Sequence, residues 1–243
     1  MGEAFLWGLL AGSSLVIGGL VAIFTPLRTR LLGLVMAFGA GVLISAVAYE
    51  LVQEAFTTSE SGTPVTLGLF AGAGVFFASD AAIDRLGGSE RKSMRGAAVT
   101  GSAYAIVLGI VLDGIPESIV IGLGLLEGGG VSAAVIAAVF LSNLPEAIAA
   151  TSGLVTAGWQ RGKIVGLWAL VMLVTALASL AGYALFDAAS ANVVAFVLAF
   201  AGGAVLTMLA DTMMPEAFEH GGKVAGLATT LGFAVAFAIS ALE

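Results

Sequence analysis

AFGAGVLISAVAYELVQEAF, residues 37–56, returns without a gap as AFAGGAVLTMLADTMMPEAF, residues 199–218. Seven of the 20 aligned positions are identical, and both copies close on Glu-Ala-Phe, at 54–56 and 216–218. Neither copy alternates apolar and polar residues with period two. Both are rich in Ala, Gly, Leu, Val and Phe, the composition of a helix without a continuous wet face. What the repetition means depends on the direction in which each copy runs, and the basic residues decide that.

The 243-residue chain is 59% hydrophobic and 10% charged, with a mean hydropathy of +1.08, which excludes an ordinary soluble domain. A helix needs about 20 apolar residues to cross the hydrocarbon of a bilayer. Stretches long enough lie at roughly 4–24, 31–54, 65–83, 99–124, 131–156, 163–186, 192–217 and 223–242. Their lengths favour helices over a barrel. The expectation is an all-α polytopic protein with eight transmembrane helices, forming one transmembrane domain over residues 1–243. The first stretch is too long, and too poorly preceded by positive charge, for a cleaved signal peptide.

All nine Lys and Arg residues fall in, or at the edge of, alternate breaks between these stretches. Arg28 and Arg30 are in the first; Arg85, Arg91, Lys92 and Arg95 in the third; Arg161 and Lys163 in the fifth; Lys223 in the seventh. The breaks at 57–64, 127–130 and 187–191 have none. Since cytoplasmic loops carry the excess of Lys and Arg, both termini are expected outside the cytoplasm of a plasma (inner) membrane. The two copies of the repeated segment then run in opposite senses, as an inverted-topology repeat requires. Spans 1–3 mirror spans 6–8, with spans 4 and 5 as a central pair: a 3+2+3 bundle of the kind found in transporters.

That pair carries VLDGIPESIVIG, from Val111, and LSNLPEAIAA, from Leu141. Each has Pro-Glu near its middle, Pro116-Glu117 and Pro145-Glu146. Proline removes an amide donor and clashes with the carbonyl four residues earlier, here those of Leu112 and Leu141. Asp113 and Glu117 share one helix face, as do Asn143 and Glu146. An ionised side chain at the middle of a membrane helix costs roughly 2.5–3.5 kcal/mol, and three would cost on the order of 9 kcal/mol on that scale. Neither stretch contains Lys or Arg. The acids are therefore protonated, as interhelical hydrogen-bond groups or a proton relay, or they surround a cation.

The arrangement resembles the ZIP family of divalent-metal transporters. Its span 4 typically reads His-Asn-x-Pro-Glu-Gly, where this chain has Asp113-Gly114-Ile115-Pro116-Glu117-Ser118; its span 5 motif aligns with Ser142-Asn143-Leu144-Pro145-Glu146. The resemblance extends over nearly the whole chain, the Gly-rich second and seventh spans included. It implies a membrane transporter that binds zinc, iron or manganese at the midplane and moves the ion toward the cytoplasm by alternating access. It implies metal ligation by Asp113, Glu117, Asn143 and Glu146, with Ser142 at the adjoining position. The metal is then a substrate, no organic cofactor is called for, and a homodimer is suggested by the resemblance alone. The family's span-4 His and Asn are here Asp113 and Gly114, Thr175 stands where many members have a span-6 carboxylate, and the loop before span 4 has no His. A single oxygen-rich site follows, which suits harder ions.

Glu50 and Glu54, near the outer end of span 2, are an entry funnel for cations or solvated interfacial groups. Asp211 and Glu216, near the inner end of span 7, are the matching exit or a solvated terminus. His220, the sole histidine, follows them in the inner loop. Trp7, Trp159 and Trp168 fit interfacial or packing positions. Runs such as Gly39-Ala40-Gly41, Gly72-Ala73-Gly74 and Ala201-Gly202-Gly203 mark close helix contacts. With no Cys there is no disulfide or thiolate site, and the few, scattered basic residues give no nucleic-acid footprint. No intramembrane His, Lys or Arg activates a nucleophile, so an enzyme is not expected. The alternatives to metal transport are a proton-coupled carrier of a small solute and a non-transporting membrane protein that senses metal or supports a partner.

Overall fold

The structure, a computed structural model, describes residues 1–25, 28–85, 103–126 and 132–242, with backbone alone for 103–108. Among them are eight long helices: α1 (Gly2–Phe24), α2 (Thr29–Thr58), α3 (Gly62–Ile83), α4 (Ala103–Gly124), α5 (Ala133–Thr156), α6 (Arg161–Phe186), α7 (Ala191–Gly221) and α8 (Val224–Ser240). Each overlaps one of the apolar stretches, and no strand occurs among the described residues. Arg91, Lys92, Arg95 and Glu127 lie outside the described residues. Six helices are long and apolar enough to cross a membrane, α1, α2, α3, α5, α6 and α7, and the 17-residue α8 is a shorter apolar helix. The chain is thus an all-α, membrane-embedded protein.

The helices stop where the sequence supplies a reason. Gly158 (φ 81°) follows α5 and Gly222 (φ 63°) follows α7, both in the positive-φ region that glycine adopts without a steric penalty. The Gly222 amide donates to the Phe218 carbonyl at 2.8 Å, closing the last turn of α7. The turns between α5 and α6, α6 and α7, and α7 and α8 are short, yet these neighbours barely touch each other, and each packs mainly on helices distant in sequence.

Contacts divide the helices into two groups. In one, α1 packs on α5 and α6, and α4 packs on α6; in the other, α2 packs on α7 and α8, and α3 packs on α7. The groups meet chiefly where α2 lies on α5 and α4 lies on α7. Glycine makes the close crossings. A Cβ at Gly41 would overlap the Thr229 carbonyl of α8, and one at Gly232 the Phe38 carbonyl of α2. A Cβ at Gly203 would overlap the Leu69 carbonyl of α3, and one at Gly72 the Phe200 carbonyl of α7. Gly41 and Gly203 are equivalent in the repeated segment, as are Phe38 and Phe200, so the α2–α8 and α3–α7 crossings use matching residues. The expectation for small residues holds at these positions, but Gly74 faces open space and packs on nothing.

Helix directions follow from the same contacts. Gly33 lies against Gly221 and Gly39 against Met213, so α2 and α7 are antiparallel. The Tyr49 ring packs at a tilt against Phe233 and Phe237, and Glu50 accepts a hydrogen bond from Ser240, beyond the Gly41 crossing on both helices, so α2 and α8 are parallel. One feature of both copies has no counterpart in the sequence reading. Val47–Gln53 of α2 and Leu209–Met213 of α7 are π-helical, and Val47 and Leu209 are equivalent in the alignment.

Candidate functional site: buried carboxylates of α4 and α5

α4 and α5 remain helical through Pro116 and Pro145. Each proline sits one residue before a buried glutamate, and the four side chains singled out on these helices are all in the interior. Asp113 is 3% exposed, and Glu117, Asn143 and Glu146 are each 5% exposed. Ser142, 1% exposed, turns its hydroxyl back to the Val139 carbonyl at 3.0 Å.

Their surroundings come from both groups of helices. α5 is wedged between α1 and α2: the Leu144 carbonyl and Ala147 lie against Gly18, and the Leu141 carbonyl and Ser142 lie against Gly39. Met213, from the π-helical part of α7, reaches the same spot beside Gly39. Gly114 leaves room for Thr175 of α6 next to Asp113. Among the described residues, Glu117 borders a small cavity with an apolar lining, walled also by Leu43, Val47 and Leu51 of α2, Val120 of α4, Val139 of α5 and Val205 of α7, among others. The cavity has room for about one or two water molecules.

The structure brings the four donors to the interior but does not close them around one point. Among the described residues, no group of three or more His, Cys, Asp or Glu side chains lies close enough together to hold a metal ion. Asp113 and Glu117 are one turn apart on α4, and Asn143 and Glu146 one turn apart on α5, as the spacing requires. Glu117 shares the cavity lining with the Val135–Val139 stretch of α5, which lies one to three turns before Asn143 and Glu146.

The more peripheral candidates stand apart from these four. Glu50 and Glu54 are half-buried near the end of α2; Glu50 is bonded to Ser240, and Glu54 accepts from Thr58 at 3.2 Å. Asp211 is exposed. Glu216 is half-buried beside His220, with Nδ1 at 3.3 Å from Glu216 Oε2 and 2.9 Å from the Glu216 carbonyl. Glu54–Thr58 and Glu216–His220 are equivalent i, i+4 pairs in the two copies.

Two buried polar residues near the site carry no weight in the sequence reading. Ser118 is 2% exposed and donates to the Gly114 carbonyl at 2.6 Å, directly after Glu117. Thr151 accepts a 2.8 Å hydrogen bond from Nε1 of the fully buried Trp168, tying α5 to α6. A hydroxyl one residue from a buried acid was the available signal for Ser118; nothing in sequence pairs Thr151 with Trp168.

Fold and site together define a membrane-embedded helical protein with acidic and amide side chains in its interior. No protein-family model matches the chain, and no curated protein matches it.

Proposed function

We propose that the chain is a permease for a divalent cation, similar to the ZIP family, with eight spans in a 3+2+3 inverted repeat. The observation that carries this reading is the burial of four oxygen-donor side chains, Asp113, Glu117, Asn143 and Glu146, on two proline-containing helices. Support for the repeat comes from the matching glycine crossings of α2–α8 and α3–α7 and from the antiparallel course of α2 and α7. The Lys and Arg pattern places the termini outside and Glu50 and Glu54 toward the outer face.

In this reading the cation draws the α4 and α5 donors together, and their oxygens replace part of its hydration shell. Carboxylate and amide oxygens suit manganese, ferrous iron or magnesium, and they also accept zinc. The two groups of helices then shift against each other at the α2–α5 and α4–α7 contacts, exposing the site to one face at a time. Glu50 and Glu54 attract the ion at entry, and Asp211 and Glu216 receive it at the other end. The test is a panel of divalent ions scored by melting shift on the purified protein, then by flux into proteoliposomes. Ions that both bind and move support a permease; binding without flux indicates a sensor.

One observation favours a second reading. The acids of the described residues are not gathered around a common point, which suits a proton-coupled carrier of a small solute as well as an ion carrier awaiting its cargo. That carrier would show pH-dependent solute flux indifferent to added metal.

A further inference from the structure

The two π-helical segments occupy equivalent places, yet only one has a covalent cause. In α7, Pro215 follows Leu209–Met213 by two residues. A proline lacks the amide proton and crowds the carbonyl four residues earlier, here that of Asp211, and a local π turn is one way a membrane helix relieves this. In α2 the residue equivalent to Pro215 is Gln53. The segment Val47–Gln53, VAYELVQ, contains neither Pro nor Gly, and the residues flanking it have ordinary right-handed helical angles. Packing alone holds α2 in the π register.

That register shapes the cavity beside Glu117, because Val47 and Leu51 of the π segment form part of its wall. Single π turns inside helices are uncommon and cluster at functional sites. Conversion to α-helix turns one flank against the other by about one residue, roughly 100° and 1.5 Å. The Thr29–Ala46 flank is pinned by the Gly41 and Phe38 crossings with α8. The Glu54–Thr58 flank rests on α7 through the fully buried Ala55; Phe56 and Thr57 are exposed, and its turn is tied to Asn192 by exposed hydrogen bonds of 3.2 and 3.4 Å to Glu60.

We infer that the π segment of α2 is a register switch that controls access of water and solute to Glu117, whereas its equivalent in α7 is locked by Pro215. In the π register Leu51 stands in the cavity wall; in the α register it swings out of that wall. The switch goes beyond the reading of the cargo as a cation and operates whatever solute crosses.

The chain has no cysteine, so single reporters are clean. Leu51→Cys and its equivalent Met213→Cys are placed separately in the full-length protein in lipid nanodiscs, where both faces meet a water-soluble maleimide. Cys at 51 is expected to label slowly but measurably, through a minor α-register population. Gln53→Pro, at an exposed position, holds the π register and lowers that rate by about tenfold or more, the ratio expected when a minor state of a few per cent is removed. Gln53→Ala leaves it unchanged. The reciprocal change, Pro215→Gln, frees α7 and raises labelling of Cys at 213 by about tenfold on the same grounds. Monodisperse elution accompanies each variant, and the α7 pair stands as an independent test if Gln53→Pro does not fold. Equal labelling at 51 with Gln or Pro at 53, or at 213 with Pro or Gln at 215, overturns the switch. Neither result depends on metal flux, so failure here is separate from failure of the transport reading.

Discussion

Gly41 of α2 lies so close to Thr229 of α8 that a β-carbon on the glycine would overlap the threonine carbonyl. Gly203 of α7 stands in the same relation to Leu69 of α3. In lipid, where apolar burial does not drive helices together, such backbone approach supplies much of the association through close packing. Gly41→Leu and Gly203→Leu are therefore each expected to lower stability by about 1–3 kcal/mol through overpacking. Gly74→Leu, into open space, has little effect. Thermal melts in one detergent check the set, and similar losses at 41 and 203 are expected because the crossings match.

Trp168 ties together α1, α5 and α6 of the other group. It is fully buried beside Gly19, with Leu15, Ala147, Leu154 and Ile164 in the same cluster, and bonds to Thr151 at 2.8 Å. Trp168→Ala is expected to cost about 3–5 kcal/mol, as for large aromatic truncations. Thr151→Val removes one hydrogen bond at nearly constant shape and costs about 1 kcal/mol. Melting or denaturant titration of the two variants reads the difference.

Glu117→Gln and Glu146→Gln keep side-chain size and remove the charge. Each is expected to abolish cation uptake in proteoliposomes while leaving the elution profile and melt close to those of the parent protein. Uptake at the parent rate in both variants would remove these residues from the transport path.

Donor chemistry fixes the direction of a selectivity change. Adding an imidazole moves a site toward borderline ions such as zinc. Asp113→His or Ser142→His is expected to raise zinc uptake relative to manganese by about an order of magnitude, in keeping with the effect of ligand type on affinity. Competition between the two ions in one flux assay checks it, and an unchanged ratio in both variants places those side chains away from the ion.

The helices were legible because membrane crossing demands long unbroken apolar stretches, and the ends of α1, α5 and α6 fall within two or three residues of those stretches. Burial of Asp113, Glu117, Asn143 and Glu146 was legible for a related reason: acids in the middle of an apolar helix have few other places to go. The π turn of α2 was not legible, because VAYELVQ contains no Pro or Gly and its register is fixed by α7, α8 and the cavity rather than by local preference. Gly74 and Gly72 read alike in sequence, but two residues turn a helix by about 200°, so only one of them meets α7, and the packed bundle decides which. The relative height of α4 and α5 was also invisible. Spacing puts two donors on one face of each helix, but which part of α5 shares a cavity wall with Glu117 is a property of the packed bundle.

The central claim is that the donors of α4 and α5 take up one divalent cation. Its most direct measurement is anomalous diffraction from crystals of the full chain grown with manganese. A single strong peak bordered by Asp113, Glu117, Asn143 and Glu146 is the expected result, weakened or lost in Glu117→Gln. Manganese only at Glu50, Glu54, Asp211 or other peripheral acids, or no peak at concentrations that support flux, would contradict it.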